Sequence, residues 1–369
     1  MNNKNFQTFF DCGSFKIRAG IFNTTNNKES FYAESDFSTD QSSLESKIQD
    51  IIDSFEKNTN EYINNINLMI DSPKMLSIGI SLSKKLDGSK LKQASIQFLI
   101  QEAKQQILKY YTDYSITHII INNYKIDGVN YFYLPDEIKC HSISLDLFFI
   151  CLPSDLISYF KNIFSKSNIL INQIICSCYA KSINYKDNLN LTESALFIDV
   201  GLNKTSIISY FNDQILSLDV LPIGGNHITK DISKILGINL DKSEEIKLNF
   251  NKNHKASNNE SFSMNTVEKI IFARTEEILE LCVKSAELNS QISGHFKMIV
   301  MGEGSKILDN PYMEKISFSN DIDFLDETLE DICQSGFRLR GGLNKQEVEV
   351  IPKKQSKQGF FEKLFHFFK

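Results

Sequence analysis

The chain has 369 residues, and its 40 lysines and arginines against 46 aspartates and glutamates give a net charge of −6. Hydrophobic residues make up 41% and charged residues 23% of the chain, as in ordinary globular proteins, which excludes wholesale disorder. The mild acidity argues against a general nucleic-acid binder. The sequence has no apolar run of about 18 residues that would predict a spanning helix, and its first residues lack the apolar segment of a signal peptide.

Cysteine and histidine usage argues against a metalloenzyme and against a secreted protein held together by disulfides. The seven cysteines are odd in number and form no C-x-x-C pair, so we interpret them as small apolar residues in a reducing cytoplasm. The six histidines are scattered and show no metal-ligand spacing.

The predicted elements alternate between strands and helices, and the second half repeats the opening strand–turn–strand pattern. In the first half we predict strands at 6–10 and 15–22, a helix at 41–64, a strand at 66–70, a helix at 89–110, strands at 117–121, 130–134, 138–143 and 147–152, and a helix at 153–164. In the second half we predict strands at 195–198, 206–210 and 215–221, helices from 226 and 241, a polar loop at 249–265, a helix at 265–289, a strand at 298–301 and a helix from 305.

Two turns that begin with Asp-x-Gly, at Asp11 and Asp199, stand one in each half of the chain. A glycine turn lets backbone N–H groups approach a phosphate, and a carboxylate at its start can hold hydrated Mg²⁺. Ser14 adds a hydroxyl, and Lys16 or Arg18 can neutralise phosphate charge. Either turn alone is equally typical of an ordinary hairpin.

Two further glycine segments follow. Gly224 and Gly225 lead into a helix that Asn226 caps, and a helix N-terminus favours anions. The second segment, Met301–Ser305, lies between a strand and a predicted helix and suits the base and ribose of a nucleotide. Each segment could equally be an ordinary strand-to-helix turn.

The order of these elements resembles the actin/Hsp70/hexokinase-like ATPase fold. The sequence around these motifs resembles the bacterial cell-division family FtsA from about residue 6 to the C-terminus. The matching segments are FDCGSFKIR at 10–18, DVG at 199–201, LPIGGNHITKDI at 221–232, EEIKL at 244–248 and IVMGEGS at 299–305.

The resemblance implies a two-lobed α/β fold with an inserted small α/β subdomain and a C-terminal amphipathic helix. It places the first lobe at 1–80 and 145–192, the inserted subdomain at 81–144, the second lobe at 193–229 and 296–342, a helical subdomain capping the nucleotide cleft at 230–295, a linker at 343–358 and the amphipathic helix at 359–369.

The resemblance also implies ATP and Mg²⁺ between the lobes. Asp11 and Asp199 would be the catalytic residues and would hold Mg²⁺ through water. The predicted nucleotide-binding residues are Gly13, Ser14, Lys16, Gly201, Lys204, Thr205, Gly224, Gly225, Asn226, Glu244, Lys247, Gly302, Gly304 and Ser305.

Three departures from the family pattern bear on activity. Leu202, Asn203 and Lys204 stand where the family's second phosphate turn has small residues, and Lys204 could either bind phosphate or fill the site. Glu303 stands where a glycine is common. The segment 249–265 is shorter than the family's FtsZ-gripping region. We therefore expect nucleotide binding with slow or absent hydrolysis.

The last ten residues predict a membrane-binding helix without reference to any family. At about 100° per residue the apolar side chains fill one arc, and lysines precede them, which suits an in-plane helix on anionic lipid. The alternative is a terminal helix docked on the protein itself. The predicted membrane-binding residues are Phe360, Phe361, Lys363, Leu364, Phe365, Phe367 and Phe368.

The function implied is a filament-forming tether at the cytoplasmic face of the inner membrane, which binds the C-terminal peptide of FtsZ and recruits later division proteins. The alternative is a cytoplasmic adaptor like PilM of type IV pilus assembly, which shares the Pro-Ile-Gly-Gly-Asn motif and typically lacks the terminal helix. A sugar or acetate kinase would need a general base and a substrate pocket, and a chaperone of the Hsp70 type would need a substrate domain; we identify none of these.

Overall fold

A computed structural model describes residues 6–25, 29–250, 263–290, 296–307 and 321–348. The first of its three sheets has five strands in the order β3-β2-β1-β4-β9. These are β1 (Phe6–Cys12), β2 (Lys16–Asn23), β3 (Ser30–Asp36), β4 (Asn65–Ile70) and β9 (Leu170–Cys176). The first three strands are antiparallel, and β4 and β9 add on in parallel.

The second sheet repeats this arrangement in the order β12-β11-β10-β13-β14. Its strands are β10 (Ala195–Val200), β11 (Thr205–Phe211), β12 (Gln214–Leu221), β13 (Lys297–Met301) and β14 (Ile322–Phe324). Again three antiparallel strands are followed by two parallel ones. The two sheets therefore form equivalent lobes, as the repeated sequence pattern predicts.

Four helices pack on the first sheet or between the lobes: α1 (Gln41–Thr59), α3 (Ser154–Lys166), α4 (Ser177–Asn188) and α8 (Leu329–Arg340). The Asp40 carboxylate caps α1 by accepting from the Ser43 amide at 2.8 Å. This helix ends before the predicted residue 64 because Asn60 adopts a left-handed conformation with φ of 52°. Buried aromatic side chains from both lobes join them in one core: Phe9, Tyr179, Phe197 and Tyr210.

The third sheet forms the inserted subdomain together with α2 (Gln93–Tyr110). Its strands are β5 (Leu76–Lys85), β6 (Tyr114–Ile126), β7 (Val129–Tyr131), β8 (Ser142–Pro153) and β15 (Glu347–Val348). Two predictions differ from this arrangement. The predicted boundary between 144 and 145 falls inside β8, a single strand. The predicted linker at 343–358 contains β15, which pairs with β6.

Three helices form the remaining subdomain: α5 (Gly225–Leu236), α6 (Leu240–Asn249) and α7 (Met264–Ser290). They share a core that includes Ile232, Phe250 and Ile271. Instead of starting an α-helix, Ser305 ends a short 3₁₀ turn, Glu303–Ser305. The middle of the predicted 249–265 loop, the end of the predicted linker and the predicted helix 359–369 lie outside the described residues. No helix within the described part of the chain is both long and apolar enough to cross a bilayer.

Candidate functional site

The candidate site lies where the two equivalent sheets face each other. Asp11 and Asp199 occupy matching places near the ends of β1 and β10, on the strands rather than in the turns that follow. Their cross-strand partners are Arg18 and Ser206. A cavity of about 80 Å³ lies between the lobes, and five carboxylates and four cationic side chains line it: Asp11, Asp71, Asp199, Glu303 and Glu327, with Lys16, Arg18, Lys181 and Lys204.

The turn after β1 and the start of β2 bring Gly13, Ser14 and Lys16 to the cleft. The Gly13 amide donates to the Lys16 carbonyl at 3.0 Å, which closes the turn. The Lys16 ammonium lies 2.8 Å from the Glu34 carboxylate on the neighbouring strand. Lys16 therefore already has an acidic partner within its own lobe.

Arg18 links the two lobes. Its Nη2 donates to Oε1 of Glu303 at 2.6 Å, and its Nη1 lies 3.7 Å from Oδ2 of Asp11. Burial lowers the pKa of Arg18, but the carboxylates of Asp11 and Glu303 outweigh it and the pKa lies above its ordinary value. For Glu303, burial raises the pKa, but Arg18, Lys306 and Lys16 bring it below the ordinary value. The acidic residue that departs from the family pattern thus has a partner in the opposite lobe.

The turn after β10 places Gly201 and Lys204 at the cleft. Here the Gly201 amide donates to the Lys204 carbonyl at 2.9 Å, as the equivalent groups do in the first lobe. The Lys204 ammonium crosses the cleft and donates to the backbone carbonyl of Asp71. Thr205, predicted to bind nucleotide, is buried in β11 and donates to the Ile223 carbonyl at 2.7 Å.

The Gly224–Asn226 segment contacts the second turn rather than lining the cavity. The Gly225 and Asn226 amides at the start of α5 donate to the carbonyls of Gly201 and Leu202 at 2.9 and 2.8 Å. A Cβ on Gly224 would lie 2.4 Å from the Gly201 oxygen. The glycine therefore allows close packing between backbones, and the helix N-terminus is satisfied by the protein itself.

The Gly302–Ser305 loop also packs closely on the second lobe. Gly302 has φ of +94°, and a Cβ there would lie 2.4 Å from Oδ1 of Asp199. Only Gly302 and Glu303 of this loop line the cavity. Gly304 packs on Val200, and the buried Ser305 hydroxyl donates to the Gly302 carbonyl at 2.7 Å.

Glu244 and Lys247 lie next to this loop but outside the cavity lining. Their charged groups are 2.7 Å apart, with 30% and 5% of the side chains exposed. The Lys247 ammonium also donates to the Gly225 carbonyl at 3.1 Å and to the Thr229 hydroxyl at 2.8 Å. The pair thus holds α6 against the beginning of α5.

Sequence reasoning missed a buried charge network on α4. The Lys181 ammonium lies 2.6 Å from Asp199 and 2.9 Å from Glu327, which also accepts from the Tyr185 hydroxyl at 3.0 Å. On the same helix the Ser177 hydroxyl donates to Asp11 at 2.6 Å. The available signal was a lysine on the helix face that also carries Cys178 and Tyr185, since buried lysines require partners.

These side chains fit the two predicted cofactors differently. Lys16, Arg18 and Lys204 supply the cationic donors that phosphate groups need. The cavity, at about 80 Å³, is far smaller than the about 300 Å³ at the lower end of small-ligand sites. The Mg²⁺ prediction does not fit this arrangement, because Asp11 and Asp199 are already paired with Arg18 and Lys181.

Three potential metal ligands lie beside the cleft: one oxygen of Asp71 and the sulfurs of Cys176 and Cys178, all within 4.8 Å of one another. Ordinary contacts account for this cluster. The Asp71 carboxylate accepts from the Cys178 amide at 3.0 Å at the beginning of α4. Burial raises the pKa of both thiols, which favours their protonated form. All seven cysteines are buried and unbridged, as the interpretation of them as small apolar residues predicts.

Comparison with known proteins supports the resemblance seen in the motifs. The family model "Cell division protein FtsA" matches residues 196–334. FtsA of Buchnera aphidicola from Schizaphis graminum is 24% identical over 300 residues, covering 73% of this chain and 69% of that protein. FtsA of Buchnera from Acyrthosiphon pisum is 23% identical, covering 83% and 82%. FtsA of Bacillus subtilis is 34% identical over 120 residues, covering 28% and 26%.

Solved structures show the same fold at low identity. The PilM–PilN type IV pilus biogenesis complex contains a chain with a TM-score of 0.62 and 11% identity, covering 91% of this chain and 98% of that one. EutJ of Carboxydothermus hydrogenoformans has a TM-score of 0.50 and 9% identity, covering 89% and 88%. The chain therefore has the two-lobed fold of the actin-like ATPases and is similar in sequence to the cell-division protein FtsA.

Proposed function

We propose that this protein is a scaffold of cell division that acts by binding and assembly rather than by catalysis. The observation that carries the proposal is the cleft itself, in which the charged groups are paired with one another. Asp11, Asp199 and Glu303 each contact a cation of the protein.

The scaffold would connect FtsZ polymers to the cytoplasmic face of the inner membrane, assemble into filaments and recruit later division proteins. Similarity to FtsA supports the division role. The terminal pattern of Phe360–Phe368 supports membrane contact, because five phenylalanines and one leucine can share one helix face. One such helix binds weakly, and assembly of many copies would strengthen the attachment through avidity.

ATP would enter this cleft only when the lobes part and the contact between Arg18 and Glu303 breaks. Lys16, Arg18 and Lys204 would then face its phosphate groups. A bound nucleotide would supply negative charge for these cations and a bridge between the lobes. We assign it no hydrolytic step, in keeping with the expectation of slow or absent turnover.

A second candidate is an adaptor like PilM, favoured by the TM-score of 0.62 to a chain of the PilM–PilN complex. At 11% identity this likeness concerns the fold alone, whereas the sequence similarity is to FtsA. The terminal segment distinguishes the two candidates, since only the tether requires membrane contact.

Co-sedimentation with anionic liposomes tests the tether. We expect the full chain to pellet with the vesicles, and a chain truncated after Ser356 to stay in solution. Leu364→Glu, on the apolar face of the predicted helix, should abolish pelleting, whereas His366→Glu, with the same added charge on the polar face, should retain most of it. Equal behaviour of full and truncated chains would refute membrane tethering.

A pull-down with the C-terminal peptide of FtsZ tests the partner. Retention of the protein by the peptide, and not by a scrambled peptide, would support the division scaffold. Absence of retention together with absence of vesicle binding would favour the pilus-type adaptor.

A further inference from the structure

Lys181 is a buried lysine at the meeting point of the two lobes. Only 6% of its side chain is exposed, and its ammonium lies 2.6 Å from Asp199 and 2.9 Å from Glu327. The side chain is therefore held between two acids in the interior.

The acids around this ammonium are themselves fixed. The Asp199 carboxylate is 15% exposed and that of Glu327 only 2%. Glu327 accepts from the Gly302 amide at 2.7 Å and from the Tyr185 hydroxyl. Asp11 lines the same cavity as Lys181 and these two acids. Three carboxylates thus converge on one region of low solvent access, where they would repel one another without a cation.

Clustered carboxylate oxygens are the ligands that divalent cations such as Mg²⁺ take in proteins. Lys181 uses the same oxygens, one from Asp199 and one from Glu327. An ammonium at hydrogen-bond distance and a metal ion cannot both occupy the space between those oxygens. The lysine also cannot leave easily, because its departure would leave both poorly exposed acids without this cationic partner.

We propose that the Lys181 ammonium takes the place of a divalent metal between Asp199 and Glu327. The lobes are then held in register by the protein's own charge, and the acids of the cleft need no Mg²⁺. This inference concerns the cleft alone. The unfolding experiments below can therefore refute it even if the liposome assay supports membrane tethering, and they can support it even if membrane tethering is refuted.

Thermal unfolding of three proteins, each with EDTA and with excess MgCl₂, tests the proposal. Lys181→Met removes the charge and keeps most of the volume. Lys186→Met is the matched control, because Lys186 lies on the same helix but pairs with Asp213 away from the cleft. We expect the wild type and the control to unfold at temperatures that Mg²⁺ leaves unchanged. Lys181→Met should unfold earlier in EDTA and regain at least about 2 °C in Mg²⁺.

Two further measurements keep the outcome decisive. In Lys181→Met/Asp199→Asn one of the converging charges is neutralised, so this variant should be more stable in EDTA than the single variant and should lose the response to Mg²⁺. It also provides a folded comparison when the single variant does not fold. Titration of the wild type with Mn²⁺, followed by the electron paramagnetic resonance of the free ion, should show no bound metal.

Three results would overturn the proposal. The first is Mn²⁺ binding by the wild type that is lost in Asp199→Asn. The second is a Lys181→Met variant as stable as the wild type in EDTA and unaffected by Mg²⁺. The third is failure of both the single and the double variant to fold, because loss of one opposing charge should relieve the repulsion.

Discussion

Replacing Arg18 and Glu303 singly and together would measure how strongly this contact holds the lobes across the cleft. The donor and acceptor atoms are 2.6 Å apart, and the side chains are 9% and 31% exposed. Unit charges 4 Å apart attract by about 4 kcal/mol at an effective dielectric constant of about 20. Desolvation offsets part of this, and hydrogen bonds to charged groups contribute about 1.5–3 kcal/mol net. We expect a coupling energy in that lower range.

The assay is a double-mutant cycle of Arg18→Gln, Glu303→Gln and the double variant, with the free energy of unfolding taken from urea denaturation. Arg18→Gln alone should cost more than Glu303→Gln, because it also leaves Asp11 with a weaker partner. The loss of the contact between Arg18 and Asp11 occurs in both variants that lack Arg18, so it cancels when the coupling energy is calculated. A coupling energy below about 0.5 kcal/mol, the error of additivity between distant sites, would refute the reasoning.

The same pair predicts a dependence on pH. The pKa of Glu303 lies below its ordinary value of 4.5 in the folded protein. A depressed acid pKa contributes stability that is fully present above the unfolded value and is lost as the pH falls through the folded value. The coupling energy should therefore be constant from neutral pH down to about 5 and vanish in stronger acid. A coupling energy that instead declines between pH 8 and 6 would contradict this assignment.

Three further predictions concern packing. Gly224→Ala should destabilise the protein by about 1–3 kcal/mol in urea denaturation, because its Cβ would meet backbone atoms, whereas Gly79→Ala, with nothing within 4 Å, should be near neutral. Cys176 and Cys178 should react with a disulfide reagent only on unfolding, since burial raises the pKa of both thiols; rapid reaction in the native state would contradict their burial. A chain truncated after residue 342 lacks β15, whereas one truncated after residue 348 keeps it. Protease should cut the third sheet faster in the shorter chain, and equal rates of cleavage would show that β15 does not stabilise this sheet.

The sequence predicted features that depend on local pattern. Repeated strand–turn–strand segments led to two equivalent sheets, because alternation and glycine turns are encoded over a few residues. Gly13, Gly201 and Gly302 all line the cleft, and nucleotide binding by them stays a prediction. Helix α1 was predicted from the spacing of its apolar residues. The prediction was wrong only about where the helix ends, because Asn60 adopts a left-handed conformation there.

The charge pairing could not be predicted in the same way. Arg18 and Glu303 are separated by 285 positions along the chain, and no local signal connects them. Lys181 lies in no predicted element and was given no role, whereas its ammonium lies between Asp199 of β10 and Glu327 in the segment before α8. The predicted boundary between 144 and 145 had no local signal either, since β8 continues through it without a break.

Strand β15 determines where the tail would transmit force. The Glu347 carboxylate accepts from His118 at 2.6 Å, and Val348 pairs with Ile119. Only ten residues, 349–358, then separate this strand from the predicted membrane-binding segment, and even fully extended they span at most about 36 Å. A load on a membrane-bound tail would therefore reach the inserted sheet first and the interlobe cleft only afterwards. The inserted sheet would act as the mechanical junction between membrane and body.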